Sequence, residues 1–234
     1  MKSTLILAIE SSSRLASVAL LEDDRVLGEL SSDNPKTHSE FLNAAIEKLL
    51  QDAGRKIREL SLIAVGNGPG SFTGIRVAVN IARAFGCLLQ IPVFAVDSLS
   101  ILQFQSGPDC ICMTNAFKNN VYLAVFRGGH ALLKPCAVPL SQLEATLLAL
   151  GLSEPTLCVG DAFDHYQSFL SPRLKSVLGR NTSHQDFPLA TTLGKIACKK
   201  NHFSQQSQSP TLDWKSVIPL YLRGSEAEEN LQHR

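Results

Sequence analysis

Residues Gly66–Arg76 read GNGPGSFTGIR. An apolar run, LSLIAVGN, leads into them, and a helical pattern, IRVAVNIARAFGCLL, leads away. A strand, a glycine-rich loop and a helix in that order can hold a phosphate, because loop N–H groups and the positive end of the helix dipole converge on one point. This loop lacks the lysine of a Walker sequence, and Pro69 removes one N–H donor. A packing role accounts for more of the residues. Gly66, Gly68 and Gly70 let the chain turn off the strand, with Pro69 between them as part of one structural loop. Gly74, Ala78, Ala82 and Gly86 then recur every fourth position as a ridge of small side chains. Ile75, Val79 and Phe85 add apolar surface beside the ridge, while Arg76, Asn80 and Arg83 fall on a more polar side. The glycines are therefore expected to serve close packing first.

Upstream of the loop, Leu5–Ile9 is a short unbroken apolar run, the pattern of a strand buried on both faces. ASVALL and RVLGELSS follow across the polar turns SSSR and EDD, which predicts an antiparallel meander. THSEFLNAAIEKLLQDAG reads as a helix capped by Thr37 or Ser39, with Glu40 in its first turn and Gly54 as its stop. Phe41, Leu42, Ala45, Ile46, Leu49 and Leu50 share one face of it. A strand at Leu62–Gly66, a helix at Thr73–Leu89, a strand at Val93–Val96 and a helix from Ser98 complete the order βββαβαβα. That order predicts a mixed sheet with helices on its faces.

The second half repeats this start more loosely. DCICMTNAF, NVYLAVFRG and HALLKPCAV are strand-like, SQLEATLLALG is helical, and PTLCVGDAF is a further strand ending on glycine. FQSGPD (Phe104–Asp109) marks the boundary, which divides the chain into lobes 1–104 and 105–234. Lys199–Ser216 reads as a polar linker. VIPLYLR is a last apolar segment expected to pack back on the first lobe, and GSEAEENLQHR is an end that frays or meets a partner.

Hydrophobic residues make up 44% of the 234, charged residues 18%, and the formal net charge is +1. Such a balance suits a globular protein and excludes a stand-alone electrostatic nucleic-acid binder. The six cysteines form no C-x-x-C pair and read as buried thiols. The N-terminal apolar run stops at Glu10, too short for a signal-peptide core or a membrane span, so the expectation is a cytosolic protein.

Taken together, LAIESSSRLASVAL, HSEFL, GNGPGSFTGIRVAVNIARAFG, IPVFAVDSL and PLYLR resemble the bacterial TsaB (YeaZ) family. That family belongs to the superfamily of actin-like ATPases, Hsp70 and sugar kinases. The resemblance is nearly continuous over about Leu5–Leu102 and scattered beyond. It implies a two-lobed, ribonuclease H-like α/β fold with a mixed five-stranded sheet and helices in each lobe. It also implies a non-catalytic scaffold subunit in the cytoplasm. Its partners would be a paralogue, the TsaD catalytic subunit, and a P-loop ATPase, TsaE. Together they add a threonylcarbamoyl group to the adenosine next to the anticodon of tRNAs reading codons that begin with A. The chain would meet tRNA only through the complex, form a homodimer when alone, and have no membrane partner.

The same resemblance implies a four-helix interface with the paralogue. Its residues here would be His38, Phe41, Leu42, Ala45, Ile46 and Leu49 on the first helix. Phe72, Gly74, Ile75, Ala78, Val79, Ala82 and Phe85 would lie on the second. An apolar patch of that size also predicts self-pairing.

Catalytic features are weak. The H-x-x-x-H pair that binds metal in the paralogue falls on Ser98 and Leu102, and leucine is no ligand. No metal, catalytic residue or resident cofactor is expected. Glu10, Ser11, Ser12 and Arg14 are the candidates for a nucleotide, in a turn without glycine, and any nucleotide would be completed at the heteromeric interface. Arg14 also fits a plain turn residue. Family members often read DAR at the start of the second lobe, where this chain has NAFKNN, so Asn115 and Phe117 replace charged residues. Asp97 and Asp161 read as helix N-caps at strand ends. The runner-up function is an ATP-dependent phosphotransferase or ATPase of the same superfamily. A hydrolase using Ser71 or Thr73 comes last, since neither has a nameable base.

Overall fold

The computed structural model describes residues 3–34, 38–152, 154–180, 185–207 and 213–224. Strand β1 (Leu5–Glu10) is buried along its whole length, and its alternate side chains feed two cores. Leu5, Leu7 and Ile9 enter one; Ile6 and Ala8 enter the other. Strands β2 (Ala16–Glu22) and β3 (Arg25–Ser32) extend the sheet antiparallel on one side. After helix α1 (His38–Asp52), strand β4 (Leu62–Gly66) joins β1 in parallel on the other side. Helix α2 (Phe72–Leu89) crosses over to β5 (Val93–Val96), and α3 (Ser98–Ser106) follows. The order is β3-β2-β1-β4-β5, the mixed five-stranded sheet expected.

A second sheet repeats the plan. Strands β6 (Cys110–Asn115), β7 (Asn120–Arg127) and β8 (His130–Pro139) form the meander. After α4 (Leu140–Ala149), β9 (Thr156–Val159) joins β6 in parallel. Short helices α5 (Ala162–Tyr166) and α6 (Pro172–Val177) precede the two-residue β10 (Leu178–Gly179). The order is β10-β9-β6-β7-β8. The chain divides into two compact units, Met1–Ile101 with Pro188–Leu220 and Leu102–Phe187 with Tyr221–Arg234.

The largest departure from the sequence reading is α7 (Ala190–Ser207). Lys199–Ser207 belongs to this helix and is not linker. Ala190, Leu193 and Ala197 recur at helical spacing and are fully buried against Ile6, Ala8, Ala19 and Leu21. Each fully buried leucine-sized side chain contributes about 1.5–3 kcal/mol, enough to carry the polar turns beyond it. Two strand side chains cap its start: Ser17 Oγ accepts the Ala190 N–H at 2.9 Å and Glu29 Oε1 the Thr191 N–H at 3.0 Å. Other details also differ. Thr37 lies outside the described residues, and Ser39 sits inside α1 rather than at its cap. Gly54 does stop that helix region at φ +62°.

Helix α2 is long and apolar enough, by length and composition, to cross a membrane. Its apolarity has a source in the fold, because Ile75, Ala78, Val79 and Ala82 are buried with Leu7, Ile9, Ile63 and Val65 in one core.

Candidate functional site

Where β1 ends, the chain must leave a buried strand, and it does so through Glu10, Ser11 and Ser12, all buried. The Glu10 carboxylate folds over its own turn and accepts the Ser12 N–H at 2.6 Å. The Ser98 hydroxyl lies 3.5 Å from its other oxygen, at the start of α3. Burial pushes the Glu10 carboxyl up to about 7, against the lowering effect of these hydrogen bonds. Ser98 was singled out in the sequence only as the lost metal position; its place beside Glu10 comes from the parallel pairing of β5 with β4.

The glycine loop closes over this turn. A Cβ on Gly66 would lie 1.6 Å from Glu10 Oε2, and one on Gly74 would lie 2.0 Å from the Ser11 carbonyl oxygen. Gly66 is thus glycine for close approach. The expected turning role belongs to Gly68 and Gly70, with φ +102° and +155°. The Gly68–Pro69 peptide bond is cis. Loop N–H groups bind the chain itself: Ser71 donates to Ser12 O at 2.6 Å and Asn67 to Val96 O at 3.1 Å. Ser11 Oγ donates to the Gly74 carbonyl at 2.8 Å, and Ser71 Oγ accepts the Gly74 N–H at 3.2 Å as the cap of α2. The loop packs closely here, with the Ser71 N–H spent on the first turn, the Asn67 N–H on β5 and the Gly74 N–H on the helix cap.

The nucleotide candidates therefore separate. Glu10, Ser11 and Ser12 come together, but enclosed and bonded to their neighbours; Arg14 is exposed. Among the described residues no group of three or more His, Cys, Asp or Glu side chains is placed to hold a metal. Asp97 caps α3, accepting the Ser100 N–H at 2.8 Å and the Ser100 hydroxyl at 2.6 Å. Asp161 stands at the N-terminus of α5 but makes no cap bond; it accepts the Asn115 N–H at 2.9 Å instead.

The expected interface residues also separate, and here the structure corrects the sequence reading. Leu42, Ala45 and Leu49 of α1 are at most 5% exposed. Gly74, Ile75, Ala78, Val79 and Ala82 of α2 are buried as well. They form the chain's own core, so no partner can touch them without unpacking it. The small-residue ridge is used internally: a Cβ on Gly86 would lie 2.4 Å from Val93 and 2.9 Å from Trp214. Ile46 is buried too but borders the surface. It lines a groove of about 490 Å³ with Asn43, Glu47, Leu50, Gln51, Arg55, Ile57 and Phe85. Phe41, Phe72 and Phe85 are half-buried, and the side chain of His38 lies outside the described residues. The outward side of α2 carries residues that sequence reasoning did not select. Val77 is half-buried, Ala84 is exposed, and Leu88 is 78% exposed. Their spacing of four and seven was legible, but which helix face the sheet covers was not.

In the second unit, Asn115 takes the position at the end of β6 that Glu10 takes at the end of β1. Its Oδ1 accepts the Phe117 N–H at 2.8 Å and the Tyr166 O–H at 2.9 Å. Phe117, Lys118 and Asn119 all have positive φ, near 50–60°. A bulky residue there is strained by about 1–3 kcal/mol unless its surroundings impose the conformation.

A family model described as "TsaD: tRNA N6-adenosine threonylcarbamoyltransferase" matches residues 29–231. The Bacillus subtilis (strain 168) "tRNA threonylcarbamoyladenosine biosynthesis protein TsaB" is 30% identical over 95% of this chain and 96% of its own length. The protein of that name from Buchnera aphidicola subsp. Schizaphis graminum is 38% identical over 100 residues, 43% of this chain and 47% of its own length. Among solved structures, YeaZ from Pseudomonas aeruginosa superposes with a TM-score of 0.73 at 24% identity, covering 94% of this chain and 100% of that one. The fold is shared with YeaZ, and full-length similarity runs to a TsaB protein. The chain belongs to the TsaB (YeaZ) family.

Proposed function

We propose that this chain acts in the biosynthesis of threonylcarbamoyladenosine in tRNA, as a non-catalytic subunit that binds and orients a TsaD-type catalytic paralogue. A TsaE-type P-loop ATPase would complete the cytoplasmic complex, and tRNA would be modified on the assembled complex. One contrast within the first unit carries the reading. The corner where the superfamily holds phosphate is filled by Glu10, Ser11, Ser12 and the glycine loop, whereas the outer side of α1 and α2 keeps a groove and exposed Leu88. Chemistry needs space at the first place, and pairing needs apolar surface at the second. The contact set is accordingly Phe41, Phe72 and Phe85 with Val77, Ala84, Leu88 and the groove, and the same surface would pair two copies of the chain when the paralogue is absent. The other face of the superfamily, phosphoryl transfer, retains one supporting observation: Glu10 still ends β1.

Light-scattering mass tests the proposal. A homodimer that converts to a heterodimer on adding the paralogue from the same genome supports it, provided the mixture with the ATPase restores the modified nucleoside. A chain that stays monomeric in both samples, and hydrolyses ATP alone, overturns it in favour of the phosphotransferase reading.

A further inference from the structure

We propose that the corner at the end of β1 is a proton-operated latch. The neutral Glu10 carboxyl holds the turn Glu10–Ser12 closed beneath the glycine loop, and loss of its proton shifts turn, loop and the first turn of α2 toward an open state. The cause begins in the strand. LILAIE places a carboxyl at the end of a central strand, with Ser17 of β2 opposite Glu10 and β4 paired along the other side. The side chain is therefore fully buried. One oxygen accepts the Ser12 N–H at 2.6 Å, and the other has the Ser98 hydroxyl 3.5 Å away. The backbone of Gly66 lies against that second oxygen, where a Cβ would come within 1.6 Å, so no space is left for water around a charge.

No cation stands in for that water. Of the charged side chains on the elements packed around the turn, Arg14 beyond it, Arg76 in α2 and Lys195 in α7 are exposed. Asp97, before α3, gives both oxygens to Ser100. The loop Gly66–Ser71, the start of β2, and Ile218–Leu220, which lies on the loop through the Leu220 N–H to Asn67 O, carry no titratable group. Burial and the hydrogen bonds of Ser11, Ser12 and Ser98 are what act on the carboxyl, and burial prevails, raising it to about 7. The same turn seats the helix. Ser12 O accepts the Ser71 N–H at 2.6 Å, Ser11 Oγ donates to Gly74 O at 2.8 Å, and Ser71 caps α2 through the Gly74 N–H at 3.2 Å. A Cβ on Gly70 would lie 2.0 Å from the Ser12 carbonyl oxygen, so loop and turn are in direct contact. Water can reach a charged Glu10 only if these surfaces part. The second corner offers the contrast: Asn115 holds the Phe117 N–H with an amide, which gains no charge as pH rises.

The test is amide hydrogen exchange on the full chain between about pH 5 and 8, each rate divided by that of an open chain at the same pH. The closed corner binds the proton more tightly than the open one, so opening releases it. At Ser12, Ser71 and Gly74 the opening should therefore increase about tenfold per pH unit between about 5 and 7 and level off above. It should stay insensitive to low urea, because a local opening exposes little surface. Glu10→Gln keeps the acceptor for the Ser12 N–H and should abolish the slope. A carbon-13 titration of the Glu10 carboxyl in the wild-type chain reads the same proton directly and should show a midpoint near 7. Corrected exchange that is equal at pH 5 and 7 in the wild-type chain overturns the latch, as does a carboxyl midpoint at the ordinary 4.5. A slope that persists in Glu10→Gln, or that appears only in urea-sensitive unfolding of the whole first unit, overturns it as well.

Discussion

The two units of this protein share one strand plan and use it differently. Each sheet is a three-stranded meander with two further parallel strands, and each first strand ends in a polar residue that accepts an N–H two residues on. In the first unit that residue is Glu10, with Ser12 at 2.6 Å; in the second it is Asn115, with Phe117 at 2.8 Å. The turns beyond them diverge. The first is buried under a glycine loop that opens the 18-residue helix α2, and the second is open, aromatic and followed across the sheet by the five-residue α5. One plan therefore yields a sealed corner that fixes a long helix, and an exposed corner that presents a side chain. What decides between them is backbone approach: glycine lets the loop after β4 lie directly on the first turn.

The largest expected effect tests that approach. Gly74→Ala should stabilise an ordinary helix, but here its Cβ would meet the Ser11 carbonyl at 2.0 Å. We expect a loss of about 3 kcal/mol or more in denaturant unfolding. Gly160→Ala, after β9, would meet the Met113 carbonyl at 2.3 Å with φ +103° and should also destabilise. A neutral Gly74→Ala would mean that the first corner is not sealed.

The second effect concerns charge. Glu10 titrates near 7 when folded, against an ordinary value of 4.5. A raised folded value means that the folded state binds the extra proton between those limits. Its stabilising contribution is therefore full below about pH 4.5 and is lost as pH rises through about 7, a change of about 3 kcal/mol. Glu10→Gln, which copies the amide that the second unit already uses in Asn115, should flatten that slope. It should also be about 2–3 kcal/mol more stable than wild type at pH 8, read from urea midpoints across pH.

Next in size is the outer side of α2. Leu88→Glu should change stability by no more than about 0.5 kcal/mol, since the side chain is 78% exposed. Binding of the paralogue should nonetheless weaken about tenfold or more in titration calorimetry. Unaltered affinity would move the interface off this face. The smallest effect is Tyr166→Phe, which removes one hydrogen bond to Asn115 and should cost about 1 kcal/mol. It should also loosen the Phe117 turn, visible as faster amide exchange there than at Ser12.

Much of this was legible in one dimension. The unbroken apolar run at Leu5–Ile9 specified a strand buried on both faces, and the alternation of later segments specified βββαβαβα and its looser repeat. Asp97 as a cap followed from its place before an apolar helix. By contrast, α7 was not read at all, since Lys199 onward reads as polar linker, and only the sheet face waiting for Leu193 and Ala197 shows why a helix forms there. Those expected interface residues that the structure buries, such as Leu42, Ala45, Ile75 and Ala78, were chosen for a related reason. Period 3.6 identifies an apolar stripe on α1 and α2, but a stripe says nothing about whether sheet or partner covers it.

What the sequence by itself determined was local: strand and helix order, the glycine loop and the cap at Asp97. These follow from side-chain chemistry and spacing, which act over a few residues. The tertiary structure alone decided which surfaces remain free. Gly66 is glycine because Glu10 lies against it from 56 positions away in sequence, and the turn that carries exposed Phe117 is tied to Arg223 and, through Asn115, to Tyr166. Both are consequences of long-range approach, where the partner atom, not the residue's own preference, sets the outcome.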